Sequence, residues 1–332
     1  MLNDRQKDLL KLIVEGYVKT ARPIGSKALC DSLNVSSATI RNEMAYLEDV
    51  GLLEKTHISS GRVPSEKGYR YYVDNIMKPK EMTGDDMLRL QTIFKNNSLM
   101  IDDYITKSVE IVSEMTNLTA IVLGKSSVDN CVSKVEVVPI NEHNLIAIVV
   151  TDKGHVEHRN LTIYEDVSIN DIKQTVELIN KMIIGTKLNE VSEVLEYQVK
   201  PVIASYVKQH EVLYNAFYSA FSDFTKDASV TMTGRNNILM QPEFNNIDKI
   251  RDIINKFDDK QIVDKITEED NGINIYIGSE TEFDDDVTIV KMKYNAMGEE
   301  GTIALIGPKR MEYDRVITLL DYIKNNIEKE DK

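Results

Sequence analysis

The stretch SSATIRNEMAYLED, residues 36–49, decides how the amino-terminal end of the chain folds. It begins with serine, a favoured N-cap residue, and Gly51 follows it as a left-handed stop, so a helix is predicted between them. Ile40, Met44 and Leu47 fall on one stripe at helical spacing and should pack against other helices. Small and hydrogen-bonding side chains on the opposite side suit close approach to the major groove of DNA. The stretch is therefore predicted to be a recognition helix.

The polar side of this helix supplies the candidate DNA contacts. Thr39, Arg41 and Asn42 are expected to reach base edges or the edge of the groove, because they carry donors and acceptors. Ser36 and Ser37 stand at the helix N-terminus, where free backbone N–H groups favour a phosphate. Asn42 is equally compatible with a surface position that has no part in binding.

Two helical segments precede the recognition helix. Asn3 and Gln6 have the spacing of a capping box, and apolar residues follow them at helical spacing. Residues 21–25 contain a proline and a glycine and interrupt this pattern. Ser26 is then expected to cap a short helix that runs to Leu33. These segments complete a helix-turn-helix arrangement.

Residues 52–64 are predicted to form a β-ribbon, the wing. Gly61 is expected to allow a positive φ at the turn, and Arg62 to project from the ribbon toward a phosphate or a narrow minor groove. Lys55 and Ser60 complete the predicted wing contacts. Three helices and such a ribbon make a winged helix. Modules of this kind also serve as protein-interaction domains, which an arginine at the wing disfavours.

Charge is distributed unevenly along the 332 residues, whose net charge is -14. Residues 1–78 carry 12 Lys and Arg against 10 Asp and Glu, whereas the remainder carries 28 against 44. Binding to phosphate needs local positive potential. The amino-terminal head, and not the acidic body, is therefore the part suited to nucleic acid.

The stretch SSGRVPSEKGYRYYVD, residues 59–74, closely resembles the signature of the HrcA family of heat-inducible transcription repressors. Residues 22–26 (RPIGS) and 37–44 (SATIRNEM) support the resemblance. Residues 306–313 (IGPKRMEY) and 316–323 (VITLLDYI) resemble the closing segment of the family. The resemblance spans the whole chain, although its middle is weakly patterned.

The resemblance implies a homodimeric repressor that binds the CIRCE inverted repeat ahead of the groE and dnaK operons. It also implies that the GroEL chaperonin keeps the repressor competent. During heat shock, misfolded proteins occupy GroEL, so the repressor loses its activity and the chaperone genes are transcribed.

The implied fold is α+β and multidomain, with a winged helix-turn-helix at the amino end. Residues 1–78 form this DNA-binding domain, and residues 79–100 form a linker and helix. Residues 101–126 and 227–332 form a GAF-like α/β domain, which an inserted dimerising α+β domain interrupts at residues 127–226. Because the start of the linker is polar and contains helix breakers, the head is expected to move as a unit.

Aromatic residues are concentrated on the last helical stretch of the inserted domain, at Tyr214, Phe217, Tyr218 and Phe221. Such a stripe more often belongs to a core, although aromatic residues are also enriched at the centres of interfaces. The dimerising domain that the resemblance implies favours a shared role, so these residues are candidate dimer contacts.

The sequence offers no support for an enzyme, a metal or a cofactor. It contains neither a P-loop nor a G-x-S-x-G elbow. His155 and His158 lie in a predicted strand, where residues three apart point to opposite faces. Asp284–Asp286 lacks the glycine and closing glutamate of an EF-hand loop. Cys30 and Cys131 fall in different predicted domains and support neither a disulfide nor a zinc site.

No predicted membrane span or secretory signal occurs, so the protein is expected in the cytoplasm. Two other functions stay open. A metabolite-responsive winged-helix regulator would use the GAF-like domain as its sensor, and an adaptor would use the winged helix for protein contacts.

Overall fold

A computed structural model describes most of the chain and divides it into two compact units. Residues 1–123 and 231–332 form the first unit, and residues 124–230, inserted between them, form the second. The described residues are 2–56, 61–94, 101–124, 130–141, 143–152, 156–163, 168–206, 214–215, 217–218, 230–259, 272–296 and 299–330.

The head of the first unit consists of short helices followed by a two-stranded ribbon. Its capping box is present as predicted, with Gln6 N donating to Asn3 Oδ1 at 2.9 Å and Asn3 N donating to Gln6 Oε1 at 3.0 Å. Gly51, with φ of 78°, ends the recognition helix as expected. In chain order the elements are α1 Asp4–Thr20, a 3-10 helix Ser26–Leu29, α2 Cys30–Leu33, α3 Ser37–Asp49, β1 Leu53–Lys55, β2 Arg62–Pro64 and α4 Glu66–Asn75.

The second short helix begins differently from the prediction. Ser26 does not cap it, since the N-cap position is Gly25 and no side chain caps the helix there. The Ser26 hydroxyl instead hydrogen-bonds to the Ser37 hydroxyl at 2.8 Å, which ties this segment to the start of α3. A contact between segments has replaced the local one.

The body of the first unit is built on a five-stranded sheet. Its strands lie in the order β7 (Val230–Thr233), β3 (Thr119–Gly124), β10 (Glu299–Pro308), β9 (Val287–Ala296) and β8 (Ile273–Ile277). Strands β9 and β10 pair antiparallel over their whole length. The elements before the inserted unit are α5 Gly84–Phe94, α6 Ile101–Thr116 and β3 Thr119–Gly124.

The second unit contains a three-stranded antiparallel sheet. Leu145, Ala147 and Val149 on the central strand are buried on one face, against the helices of the same unit. The elements are β4 Val132–Pro139, β5 Asn144–Thr151, β6 Val156–Thr162, α7 Ile169–Ile183, α8 Leu188–Val194, a π-helical turn Leu195–Val199 and α9 Lys200–Tyr206.

The chain then returns to the first unit and completes its sheet. These elements are β7 Val230–Thr233, α10 Arg235–Leu239, a 3-10 helix Pro242–Phe244, α11 Ile247–Asp258, β8 Ile273–Ile277, a 3-10 helix Gly278–Thr281, β9 Val287–Ala296, β10 Glu299–Pro308 and α12 Tyr313–Glu330. In the part of the chain that is described, no helix is long and apolar enough to cross a membrane.

The aromatic stripe contributes to the core of the second unit. Tyr214 and Phe217 are 4% and 1% exposed, respectively, and pack in its hydrophobic cluster. Tyr218 is half-buried, and its ring stacks on Tyr214 with centroids 5.7 Å apart. Phe221 lies outside the described residues. Tyr214 and Phe217 therefore leave little surface for a second chain.

The head packs directly against the body, which differs from the expectation of a head that moves as a unit on a polar linker. Residues of α1 and α4 share one hydrophobic cluster with the closing helix α12, and the rings of Tyr69 and Tyr313 lie 6.1 Å apart. The linker is held as well, because Thr318 Oγ1 donates to the Lys80 carbonyl at 2.8 Å and Lys80 Nζ pairs with Asp314 at 2.5 Å. Because the linker is polar, its sequence did not indicate these contacts.

Candidate DNA-binding surface

The recognition helix α3 is fixed in the head by the predicted apolar stripe. Ile40, Met44 and Leu47 are 1%, 3% and 0% exposed, respectively. The side opposite the stripe faces solvent, as the helical periodicity predicts. Its exposed residues are Ala38, Asn42, Ala45, Tyr46 and Asp49, and Arg41 is exposed on its flank.

The N-terminus of α3 is capped and open to solvent. Ser36 is exposed, and its Oγ accepts from the backbone N–H of Thr39 at 3.2 Å and bonds to the Thr39 hydroxyl at 3.0 Å. One of the orphan N–H groups of the first turn is thereby satisfied, and the turn keeps the positive end of the helix dipole. This end of the helix is suited to a phosphate.

Arg41 is held on one flank of the helix. Its Nε donates to Ser26 Oγ at 3.3 Å, and Ser26 in turn bonds to Ser37 at 2.8 Å. This chain of polar contacts links three predicted site or capping residues around the start of α3. It restricts the guanidinium before any DNA is bound, which lowers the entropy cost of a directed contact.

The wing is a short two-stranded ribbon, and Ile24 bridges to it as a third strand-like segment. Lys55 pairs with Arg62 at the end of the β1–β2 ladder. Ile24 forms a bridge on the other side of β2, where Ile24 N donates to Arg62 O and Arg62 N donates to Ile24 O, both at 2.9 Å. Ser60 lies outside the described residues.

Gly61 is needed for a different reason from the one predicted. It is not among the described glycines with a positive φ. A Cβ atom at this position would lie 2.4 Å from both the carbonyl carbon and the oxygen of Ile24. Glycine is therefore required by the close approach of two backbone segments, and the prediction of a left-handed turn residue was wrong.

Arg62 does not project from the ribbon, so its predicted orientation was also wrong. Its side chain is 15% exposed and turns toward α3, where Nε and a terminal nitrogen lie 2.8 and 2.7 Å from Glu48 Oε2. Lys55 Nζ lies 3.0 Å from the other oxygen, Glu48 Oε1. One carboxylate thus pairs with both Lys55 and Arg62 and offsets part of their charge.

Glu48 was missed by the sequence analysis, although a signal was present. It lies eight residues after Ile40, on the flank of the helix rather than on its solvent face. Partial burial raises the pKa of its carboxyl, but the hydrogen bond from Lys55 and the charge of Arg62 outweigh this effect and hold the pKa below its ordinary value. An acidic side chain on that flank could have been matched with the two cations of the ribbon.

The two other kinds of candidate site, for a metal ion and for a small ligand, have little support among the described residues. Among the described ranges, no group of three or more His, Cys, Asp or Glu could hold a metal ion, and His155 falls outside them. A cavity of about 430 Å³ lies beside the acidic loop that contains Asp284. Both of its lysines are paired, since Lys249 and Lys256 lie 3.2 and 3.5 Å from the Asp284 carboxylate.

Two known families match this chain, one over the head and one over most of the remaining residues. The family described as "Winged helix-turn-helix transcription repressor, HrcA DNA-binding" matches residues 1–75. The family described as "HrcA protein C terminal domain" matches residues 102–317.

Two individual proteins are similar over nearly the full length. A heat-inducible transcription repressor HrcA of Bacillus pumilus (strain SAFR-032) is 34% identical over 333 residues, which cover 98% of this chain and 97% of that protein. A crystal structure at 2.2 Å resolution, titled as that of a hypothetical protein, has a TM-score of 0.70 and 22% identity, and covers 99% of this chain and 98% of its own. At that identity the structural likeness shows a shared fold alone.

Proposed function

This chain belongs to the HrcA family of heat-inducible transcription repressors, and we propose that it binds the CIRCE inverted repeat ahead of the groE and dnaK operons as a dimer. The family consists of transcription repressors with a winged-helix DNA-binding domain, and not of enzymes. Bound at the operator in the cytoplasm, the dimer blocks transcription of the chaperone genes.

The exposed N-terminal half of α3 is the observation that carries the proposal. Arg41 and Asn42 face solvent on this helix, and Thr39 lies in its capped first turn. We assign these three to base or groove-edge contacts, because an arginine and an amide can each make bidentate bonds to a base. Ser36 and Ser37 are assigned to phosphate at the helix N-terminus.

The wing would supply backbone contacts. Lys55 keeps 45% of its side chain exposed, and it would contact a phosphate from the end of the ribbon when its ion pair with Glu48 opens. Ser60 and Gly61, which precede Arg62 in the chain, are proposed to approach the sugar–phosphate backbone. Arg62, bound to Glu48, would hold the ribbon in position rather than make the contact itself.

A dimer is proposed because a two-fold protein matches a two-fold site, with one recognition helix in each half-site. We propose that the second unit supplies the dimer contacts and that the five-stranded sheet is a GAF-like domain. Tyr218, the half-buried member of the aromatic stripe, is the one best placed for a shared role, with Tyr214 and Phe217 supporting it from the core.

Control by GroEL would couple the repressor to heat. While the chaperonin is free it would keep the repressor competent, and clients produced by heat would remove that support. The metabolite-responsive alternative needs a ligand site, and the paired charges of the 430 Å³ cavity give it little support.

Footprinting of the purified protein on a CIRCE duplex, with and without GroEL, tests this proposal. We expect symmetrical protection of both half-sites and slower loss of binding on warming when GroEL is present. A matched duplex with one scrambled half-site should bind more weakly. Equal binding to both duplexes would reject the operator and the dimer, whereas a metabolite extract that restores binding where GroEL does not would favour the alternative.

A further inference from the structure

The carboxylate of Glu48 binds both cations of the wing, Lys55 and Arg62. Glu48 stands in the last turn of α3, and its two oxygens receive different partners: Oε1 lies 3.0 Å from Lys55 Nζ, and Oε2 lies within 2.8 Å of two nitrogens of Arg62. Charge-assisted bonds of this kind are stronger than neutral hydrogen bonds. The most cationic part of the ribbon is thus bound to the recognition helix instead of standing free.

We propose that Glu48 is a specificity-determining positioning residue, which holds Lys55 and Arg62 against the recognition helix and so limits sequence-independent contacts with phosphate. The proposal rests on DNA binding by the winged helix and deepens it. Glu48 itself is not expected to touch a base.

The surroundings of Arg62 show how firmly it is held. Its backbone N–H and carbonyl both bond to Ile24 at 2.9 Å, and its side chain is 15% exposed. The preceding residue, Gly61, has no room even for a Cβ atom against Ile24. Backbone and side chain are therefore fixed together, and a contact between Arg62 and phosphate would require the bonds to Glu48 to break.

The effect of Glu48 on DNA binding follows from the way in which cations bind DNA of any sequence. Contacts of Lys and Arg with phosphate release counterions, and each contact adds about 0.9 to the slope of log K against log salt. Specificity is a difference between two binding free energies, so it rises only when contacts that favour a random duplex more than the repeat are suppressed. On the repeat, base contacts fix the position of the head, whereas on a random duplex the head can shift to bring free cations to phosphate. A carboxylate that occupies two wing cations suppresses such contacts without altering the base contacts.

Glu48→Gln tests the proposal, and Asp49→Asn is its matched control. Both substitutions remove one negative charge from the same end of α3, and Asp49 is exposed. We expect Glu48→Gln to bind a random duplex about tenfold more tightly and to steepen the salt slope by about 0.9 to 1.8, as one or two freed cations reach phosphate. Affinity for the inverted repeat should rise less, so the ratio of the two affinities falls. Asp49→Asn should leave the slope unchanged.

Arg62→Gln in the wild-type background keeps the test decisive if Glu48→Gln unfolds, and the double variant extends the test if Glu48→Gln folds. Arg62→Gln alone should leave the salt slope of binding unchanged, because the bound arginine makes no phosphate contact. In the Glu48→Gln background the same change should lower the slope by about 0.9.

Two results would overturn the proposal. One is a slope for Glu48→Gln equal to that of Asp49→Asn; the other is a slope that flattens by about one contact in Arg62→Gln alone. A wild-type protein that fails to distinguish the inverted repeat from random duplex would reject the proposed operator instead, since the salt slopes on random duplex are measured separately.

Discussion

Arg70 of α4 and Glu280 of the body, 210 positions apart in the chain, form a two-point ion pair. Arg70 Nε donates to Glu280 Oε1 at 3.1 Å, a terminal nitrogen reaches Oε2, and the same nitrogen donates to the Ile275 carbonyl at 2.5 Å. Nearby, Ser279 N donates to Glu66 Oε2 at 3.2 Å. The helix that follows the wing therefore docks the head on the body.

Removing the pair should weaken this docking. We expect Arg70→Ala to lower the free energy of unfolding by about 1–3 kcal/mol, because hydrogen bonds to charged groups are lost and Glu280 keeps a partly desolvated charge. Chemical denaturation measures the change. Lys67→Ala is the control, since Lys67 is on the same helix, is exposed, and makes one long bond to the Val50 carbonyl at 3.4 Å. Equal effects of the two substitutions would contradict the docking role.

A buried hydroxyl in the same contact has no partner among the described residues. Tyr69 is 2% exposed, its hydroxyl makes no hydrogen bond there, and burial raises its pKa well above the ordinary value. Tyr69→Phe should raise the free energy of unfolding by up to about 1 kcal/mol, since an unsatisfied buried group is removed. The melting temperature reports this.

Tyr313 provides the contrast for that prediction. Its hydroxyl donates to the Lys309 carbonyl and lies 3.2 Å from the Thr288 hydroxyl. Tyr313→Phe should therefore destabilise the chain by about 1 kcal/mol. A loss of stability in Tyr69→Phe as large as this one would show that the Tyr69 hydroxyl does have a partner.

Acid should weaken the contact between α5 and the closing helix. Asp86 is 4% exposed, and burial raises the pKa of its carboxyl. The 2.9 Å hydrogen bond from Arg315, the charge of Arg315 and the hydrogen bonds from Thr83 together outweigh burial and hold the pKa low. A carboxyl with a lower pKa in the folded state stabilises the fold fully above its unfolded pKa of about 3.9, and this is lost as pH falls through the folded value.

Asp86→Asn should therefore lower the free energy of unfolding by about 1–3 kcal/mol near neutral pH. The same change should make that free energy fall less steeply as the pH is lowered in the acid range. Urea unfolding between about pH 6 and pH 2 measures both effects. Asp85→Asn is the control, because Asp85 is the exposed neighbour on the same helix. An acid limb as steep in Asp86→Asn as in the wild type would assign the pH dependence to other groups.

The close approach at the wing predicts a strong effect of one added carbon. In Gly61→Ala the new Cβ would lie 2.4 Å from Ile24, so the bridge to β2 must shift, and we expect at least about 2 kcal/mol of destabilisation with weaker DNA binding. Gly25→Ala should be tolerated, since no atom lies within 4 Å of a Cβ there. Melting curves of the two variants decide the matter, and similar curves would contradict the packing argument.

The local parts of the fold could be predicted from sequence, because their causes lie within a few residues. The Asn3 capping box, the stripe containing Ile40 and the stop at Gly51 depend on propensity and periodicity. The orientation of Arg62 could not be obtained in this way, since its partner Glu48 lies 14 positions earlier on another element.

The docking of the head illustrates the same limit over a longer distance. Polar residues around Lys80 suggested a free linker, whereas the structure pairs Lys80 with Asp314. Composition describes what a segment can expose to water, but it does not identify the surface that the segment meets.

The most direct test of the account concerns the reading face of α3. Affinities of Arg41→Ala and wild type for the inverted repeat and for a random duplex should be measured at one salt concentration. We predict a loss of about 1–3 kcal/mol on the repeat and little change on the random duplex, as for a bidentate base contact. An equal loss on both duplexes, or none on either, would contradict the claim that this helix reads the operator.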